Sequence, residues 1–472
     1  MSKLRVWWQE LRSAQLSITE WWLLLAPVLL WFSYYPTVQF TRTSAMNIEV
    51  SLAVVYVAVL AIIGLPHSIR HWRQLARRPI VWLSGAAVVW MCLSVLWSAN
   101  PLRAILTAGM WGVLLLSLLT VLSIPHKKFV FSKMVDVYVV TSIAMALVAV
   151  AQVVYGVWVD WGLCAGCVAG NFGFVRSNGF AIEPQFFGSM LIAPIIIIAQ
   201  RLIAQRRPYD GLWLSLLSMA LYLTLSRGAI FALGGALVVF VLIHLRTVSG
   251  RRGVAKVMLI GVAGVVAGML WHGLWTQLNP KVADTFYDAI AKSVNQISLG
   301  VVSLSKHEAP AMPAAAPTVA PPPAKYDGLV EESTTHRTTL SARALSTWQR
   351  DVPTMLFGVG IGGAGQAMYE QYRQQGWAME IVQNEHIERL LEGGIIGAML
   401  CLGVMIYVLW ATRSTRWVWA IIIGYIVQWN FFSGLPNALH IYLVVMVIFA
   451  TIVGSDDEKT TFSRRLCVRS SA

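Results

Sequence analysis

Arginines, acids and one histidine gather in three short stretches of this sequence, each at the edge of an apolar run. The first, Arg176-Ser177-Asn178-Gly179-Phe180-Ala181-Ile182-Glu183-Pro184-Gln185-Phe186-Phe187-Gly188, carries a polar loop straight into apolar sequence. Glu183 sits where a buried carboxylate is costly unless paired, which marks it as a candidate for chemistry. It suits a helix start equally well, with an acid at the positive end of the dipole and proline in the first turn. The second, Ser226-Arg227-Gly228-Ala229, places one arginine between two apolar runs with almost no loop. Its guanidinium can bind an anion, because the planar fork matches phosphate oxygens bidentately, or it can cap a helix end. The third begins Val382-Gln383-Asn384-Glu385-His386-Ile387-Glu388-Arg389 and ends Glu392-Gly393-Gly394-Ile395-Ile396-Gly397. At helical spacing His386, Arg389, Leu390 and Gly393 share one face, and Glu385, Glu388 and Glu392 share another. So many ionisable groups exceed what a solvated cap requires; the alternative is an intrahelical network of Glu388, Glu392 and Arg389 at headgroup level. His386 and Glu183 are the candidate proton acceptors.

Two further motifs point less sharply. Gly358-Val359-Gly360-Ile361-Gly362-Gly363 resembles a nucleotide-binding loop only superficially, since no strand or P-loop lysine accompanies it, and it reads as a tight backbone turn near a substrate or the membrane edge. Cys164-Ala165-Gly166-Cys167 lacks the second pair that a structural zinc needs, leaving a local disulfide or two free thiols. Cys92, Cys401 and Cys467 are scattered and suggest nothing. No metal site and no cofactor is expected.

The elements that must position these residues are set by composition. Of 472 residues, 57% are hydrophobic and 12% charged, with a mean hydropathy of +0.64. So little polar surface cannot cover a water-facing body, which excludes a soluble globular chain. Apolar stretches long enough to cross about 30 Å of hydrocarbon recur near 21–38, 48–65, 80–98, 103–124, 134–155, 184–203, 211–226, 228–246, 254–275, 386–410, 416–433 and 436–454. The expected fold is all-α, a polytopic integral membrane protein of about twelve spans. Lys3, Arg5 and Arg12 precede the first apolar run, and no small-residue cleavage site follows it, so a first anchor is expected there.

With the N-terminus inside, 23 of the 36 lysines and arginines fall in inner segments, and 7 of the 22 acids. The inner side then carries about +16 and the outer about −2, so the net charge of +14 is mostly topology and not a nucleic-acid signal. Both termini are expected in the cytoplasm. Residues 1–275 would hold spans one to nine, with an outer loop at 156–183. Residues 276–385 would form one large periplasmic loop with an Ala/Pro-rich insertion at 308–327, too poor in apolar residues to order itself. Residues 386–455 would hold spans ten to twelve, followed by a cytoplasmic tail at 456–472.

Taken in order, Ser94-Val95-Leu96-Trp97-Ser98, the Arg176–Gly188 stretch, Ser226-Arg227-Gly228-Ala229, the Gly358–Gly363 turn and the Asn384–Gly397 stretch resemble the O-antigen ligase and polymerase superfamily. The resemblance implies a bacterial inner-membrane glycosyltransferase that moves a glycan from a polyprenyl diphosphate to a glycan or lipid-core acceptor, with other polysaccharide-assembly proteins as possible partners. It implies that Arg176 and Arg227 bind the diphosphate, that His386 or Glu183 assists the acceptor hydroxyl, and that Gln383, Asn384, Arg343 and Arg389 support them. Ligases typically carry a histidine where alignment on Glu392-Gly393-Gly394-Ile395-Ile396-Gly397 places Gln383, so the polymerase branch is the nearer. A transporter or lipid-linked glycan flippase is the alternative; it is disfavoured because the polar groups gather at one membrane edge and not at mid-membrane.

Overall fold

The computed structural model describes residues 10, 14–42, 47–158, 176–204, 209–278, 325–373 and 381–432. The Cys164–Cys167 pair, the centre of the Ala/Pro-rich insertion, the expected span at 436–454 and the C-terminal tail lie outside them.

The chain opens with helix α1 (Ile18–Leu29), started by a capping box in which the Ser17 hydroxyl accepts from Glu20 N and the Glu20 carboxylate accepts from Ser17 N. The expected span 21–38 is cut short at Leu29. Pro36 offers no N–H to continue a helix, and the β-branched residues that follow favour an antiparallel hairpin, β1 (Thr37–Arg42) and β2 (Asn47–Ser51). The fold is therefore not wholly helical.

Helix α2 (Leu52–Arg70) follows, then the short α3 (Trp72–Leu75), α4 (Pro79–Leu93) with a 3-10 turn over Ser94–Trp97, α5 (Pro101–Ser123) and α6 (Lys127–Trp158). Next come α7 (Pro184–Ala204), α8 (Asp210–Leu223), α9 (Arg227–His244) and α10 (Val248–Gln277). The loop segment contributes α11 (Lys325–Trp348), α12 (Val352–Phe357) and α13 (Ala364–Tyr372), before α14 (Glu385–Ala411) and α15 (Trp417–Gln428). Among the described residues, eight helices have the length and composition to cross a membrane, and three shorter apolar helices (α1, α8 and α15) accompany them. The chain is thus a multi-pass helical membrane protein.

Helix α7 is the axis of the bundle. It is almost wholly buried and packs against α6, α8, α9, α10 and α15. Gly188 lets α9 approach it, since a side chain there would meet the Ala229 Cβ at 2.6 Å. On the loop side, α11 and α12 lie over α14, and Leu340, Val359, Met368, Val382 and Leu391 form a small separate core. The turn after α12 locks this cap in place. Val359 N donates to Leu391 O at 2.9 Å, Ile361 N to the Ser94 hydroxyl at 3.0 Å and the Ser98 hydroxyl to Ile361 O at 2.9 Å. Gly360 has φ +86°, and a Cβ there would fall 2.4 Å from the Ser98 Cα, so the turn needs glycine for both conformation and space. Gly394, at φ +64°, breaks α14 where this turn inserts.

Candidate anion site

The loop that enters α7 is held from beneath by a buried glutamine of α6. Gln152 accepts from Asn178 N at 3.2 Å and Gly179 N at 2.9 Å, and donates to Gly179 O at 2.8 Å. Ser177 adds a hydroxyl bond to Ala149 O at 2.7 Å. The loop is thereby fixed against the turn between α8 and α9. Arg176 reaches into that turn, donating from Nε to Thr224 O at 3.0 Å and from Nη2 to Leu225 O at 3.2 Å.

The turn itself is strained. Leu225 is fully buried with φ +46°, an unusual conformation for a leucine that persists only where the surroundings enforce it. It aims the two carbonyls at Arg176. Thr224 Oγ1 accepts from Ser226 N at 3.1 Å, and Ser226 Oγ accepts from Ala229 N at 3.4 Å as the N-cap of α9. Arg227 is thus the first residue of α9, placed at the rim.

A third arginine arrives from the loop helix α11. Arg337 donates from Nη2 to Gln185 Oε1 at 3.1 Å. Arg176 lies within electrostatic reach of Glu183, Arg227 and Arg337, and Arg337 within reach of Glu183. Burial pulls the Arg176 guanidinium down to about 10, with Glu183 opposing and the neighbouring arginines adding to the shift. Arg337 is likewise lowered by burial and raised by Glu183. Both stay charged at neutral pH, because a guanidinium is too basic to give up its proton there. Arg176, Arg227 and Arg337 outnumber the exposed Glu183 and give the group an excess of positive charge, which suits a phosphate-bearing ligand. Glu183 also starts α7, its carbonyl accepting from Phe186 N at 3.1 Å, so the helix-start and functional readings hold together.

The second group of expected residues stands at the start of α14, where Glu385 N donates to Phe432 O at 3.1 Å and Phe432 packs on Phe186 of α7. Asn384 caps α14, accepting from Ile387 N at 3.2 Å, after Gln383 at φ +56°. His386 faces α15, with Nε2 donating to Ile426 O at 3.0 Å and its ring edge-on to Trp429. Arg389 binds Glu385 at 2.6 Å and Glu392 at 2.9 Å, with Glu388 at 3.7 Å, and all four side chains are buried. Of the two readings the sequence offered, Arg389 thus follows the intrahelical network with Glu388 and Glu392, joined by Glu385, and not a face apart from the glutamates. Positions three and four apart on one helix are neighbours, and in a low-dielectric setting an unpaired charge is too costly to leave. Arg343 stacks over the Tyr372 ring at 4.2 Å. Among the described residues no group of three or more His, Cys, Asp and Glu side chains is arranged to hold a metal ion.

Two residues of the arginine site escaped the sequence reading. Arg337 carried only the signal of a basic residue in the long loop. Gln152 carried that of an amide inside an apolar span, where polar side chains commonly tie helices together.

Fold and site together define a multi-pass helical membrane protein in which Arg176, Arg227 and Arg337 gather beneath α11. Residues 212–402 match the protein family described as O-antigen ligase. The match runs from α8 into α14 and takes in Arg227, Arg337, Arg343 and His386, while Arg176 and Glu183 precede it. It supports a glycosyl-transferring enzyme of ligase or polymerase type in polysaccharide assembly. No curated protein matches the chain.

Proposed function

We propose that this protein is an inner-membrane glycosyltransferase that moves a glycan from a polyprenyl diphosphate to the hydroxyl of a glycan acceptor, with the large loop in the periplasm. The observation that carries this reading is the meeting of Arg176, Arg227 and Arg337 beside Glu183 at a membrane edge. A diphosphate there would be bound by guanidinium forks and held at the height where its polyprenyl chain enters lipid.

The acceptor hydroxyl attacks the anomeric carbon as the bond from that carbon to the phosphate oxygen breaks. The electron pair leaves with the polyprenyl diphosphate, and the configuration inverts. The arginines stabilise the charge that develops on the departing oxygen, as preorganised donors do in acyl and phosphoryl transfer. The hydroxyl proton goes to Glu183. His386 has one ring nitrogen committed to the Ile426 carbonyl and sits with the α14 cluster, so we assign the base role to Glu183.

The Asn384-Glu385-His386 order, with Gln383 in place of a ligase-type histidine, favours polymerisation over ligation. Transfer by the purified protein from a lipid-linked donor tests the reaction. The surface polysaccharide of a deletion strain tests the branch: single repeats on the lipid core indicate a lost polymerase, whereas polymer stranded on its carrier indicates a lost ligase.

A further inference from the structure

Where α2 ends, the chain carries a dense run of cations over Arg70-His71-Trp72-Arg73-Gln74-Leu75-Ala76-Arg77-Arg78, and no acid occurs between Val50 and Val135. This run lies at the end of the bundle away from the arginine cluster. The hairpin before α2 is held to the loop that enters α7, with Tyr34 N and Tyr35 N donating to Phe180 O, and the 19 residues of α2 then extend about 28 Å. Along that helix and into α3, Ile62, Leu65, Ile69 and Trp72 are spaced as one face and are all exposed, Ile69 at 65% and Trp72 at 47%. On a helix built to cross a membrane, such a face meets lipid. Arg70, Arg73 and Arg77 form a second exposed row beside it. The rows are held in place, because Leu75 is buried in the core and the Trp82 indole donates to Ala76 O at 2.6 Å across the turn into α4.

Other cations at this end are committed within the protein. Arg201 binds Asp136 at 2.6 Å, Lys133 pairs with Glu10, and Arg413 stacks over the Trp410 ring at 4.2 Å. Among the described residues, Arg70, Arg73 and Arg77 have no ion pair, side-chain hydrogen bond or ring partner. Three uncompensated guanidiniums beside a lipid-facing row call for an anion that the membrane itself supplies. A soluble polyanion would leave Ile69 and Trp72 uncovered, whereas a phospholipid satisfies both rows. Its phosphodiester takes the guanidinium forks and its acyl chains cover the apolar face. An ammonium-bearing headgroup would add a further positive charge to the three, so a net-anionic one fits best. Tryptophan at the bilayer interface and arginines close to a leaflet are the combination that draws such lipids.

We propose that Arg70, Arg73 and Arg77 hold the headgroup of an anionic phospholipid whose acyl chains lie along Ile62, Leu65 and Ile69. The test uses the full chain extracted in mild detergent and stripped of lipid. Thermal unfolding and native mass spectrometry are followed on adding dioleoyl-phosphatidylglycerol, the matching choline lipid, or inorganic phosphate. The glycerol lipid should stay bound and raise the melting temperature, with affinity at least about tenfold above the choline lipid. Replacing all three arginines (Arg70→Gln, Arg73→Gln and Arg77→Gln) should bring the two lipids to within about twofold of each other, because the charge that separates them is gone. If that variant does not fold, Arg73→Gln with Arg77→Gln, which leaves α2 intact, carries the same test and should lose most of the preference. Equal retention of the two lipids by the unaltered protein, a melting shift from inorganic phosphate as large as that from the lipid, or undiminished preference in a folded variant would each overturn the proposal.

Discussion

The arginines at the loop side differ in how the protein holds them, and the difference sets what substitution should do. Arg176 spends two of its five donors on the carbonyls of a strained turn, and Arg337 spends one on Gln185. Arg227 stands at the first position of α9, where an arginine that served only the helix would have no favourable dipole interaction, because cations belong at the other end. Arg227→Lys should therefore lower transfer about a hundredfold, since an ammonium keeps the charge and loses the fork. Turnover in detergent, measured beside the melting temperature, checks this; near-normal turnover would reduce Arg227 to a structural residue. The proton acceptor separates through a pair of isosteres. Glu183→Gln should remove most turnover and leave donor affinity in place, while His386→Gln should keep its activity and pH profile. The opposite pattern would hand the base role to His386.

Among elements, the loop into α7 and the turn after α12 work as clamps, one holding the site and the other holding the cap. Gln152→Leu would leave the amides of Asn178 and Gly179 buried without their acceptor, at a cost of about 1–3 kcal/mol for an unsatisfied group. The variant should melt several degrees lower and lose transfer along with the placement of Arg176, and an unchanged melting temperature would mean that the loop has another anchor. Gly360→Val should be worse, because its Cβ collides with backbone 2.4 Å away and not with a side chain that can move. The Ala/Pro-rich insertion is expected to behave in the opposite way. Deleting residues 309–324 should leave expression and transfer within a few-fold, as its composition cannot offset the entropy of ordering. A folded but inactive deletion would show that the segment binds something.

At the scale of the molecule, the arginine cluster, the loop helices and the break in α14 all lie at one end of the bundle. The ion pairs Glu20–His126 and Asp136–Arg201 lie toward the other, at residues expected inside. From the basic asymmetry of the sequence we propose that the cluster faces the periplasm. A reporter fused after residue 320 should accordingly be active outside the cytoplasm, and one fused after residue 460 inside. A cytoplasmic signal at 320 would invert the orientation and every assignment that depends on it.

Much of this architecture is local and therefore legible in the chain. Hydrophobic runs long enough to need lipid, the break at Ser226-Arg227-Gly228 and the helix start at Glu183-Pro184 follow from side-chain transfer energies and backbone chemistry within a few residues. Even the convergence of Arg176, Glu183 and Arg227 was within reach, because both stretches lie at the edges of neighbouring apolar runs. What the sequence could not decide is which distant groups neutralise one another. Arg337 joins the site across the fold through Gln185. The end of the first span was equally hidden, since Tyr34 N and Tyr35 N both donate to Phe180 O at 3.1 Å. Buried charges and backbone amides must find partners wherever the packing brings them, and only the tertiary structure determines where that is.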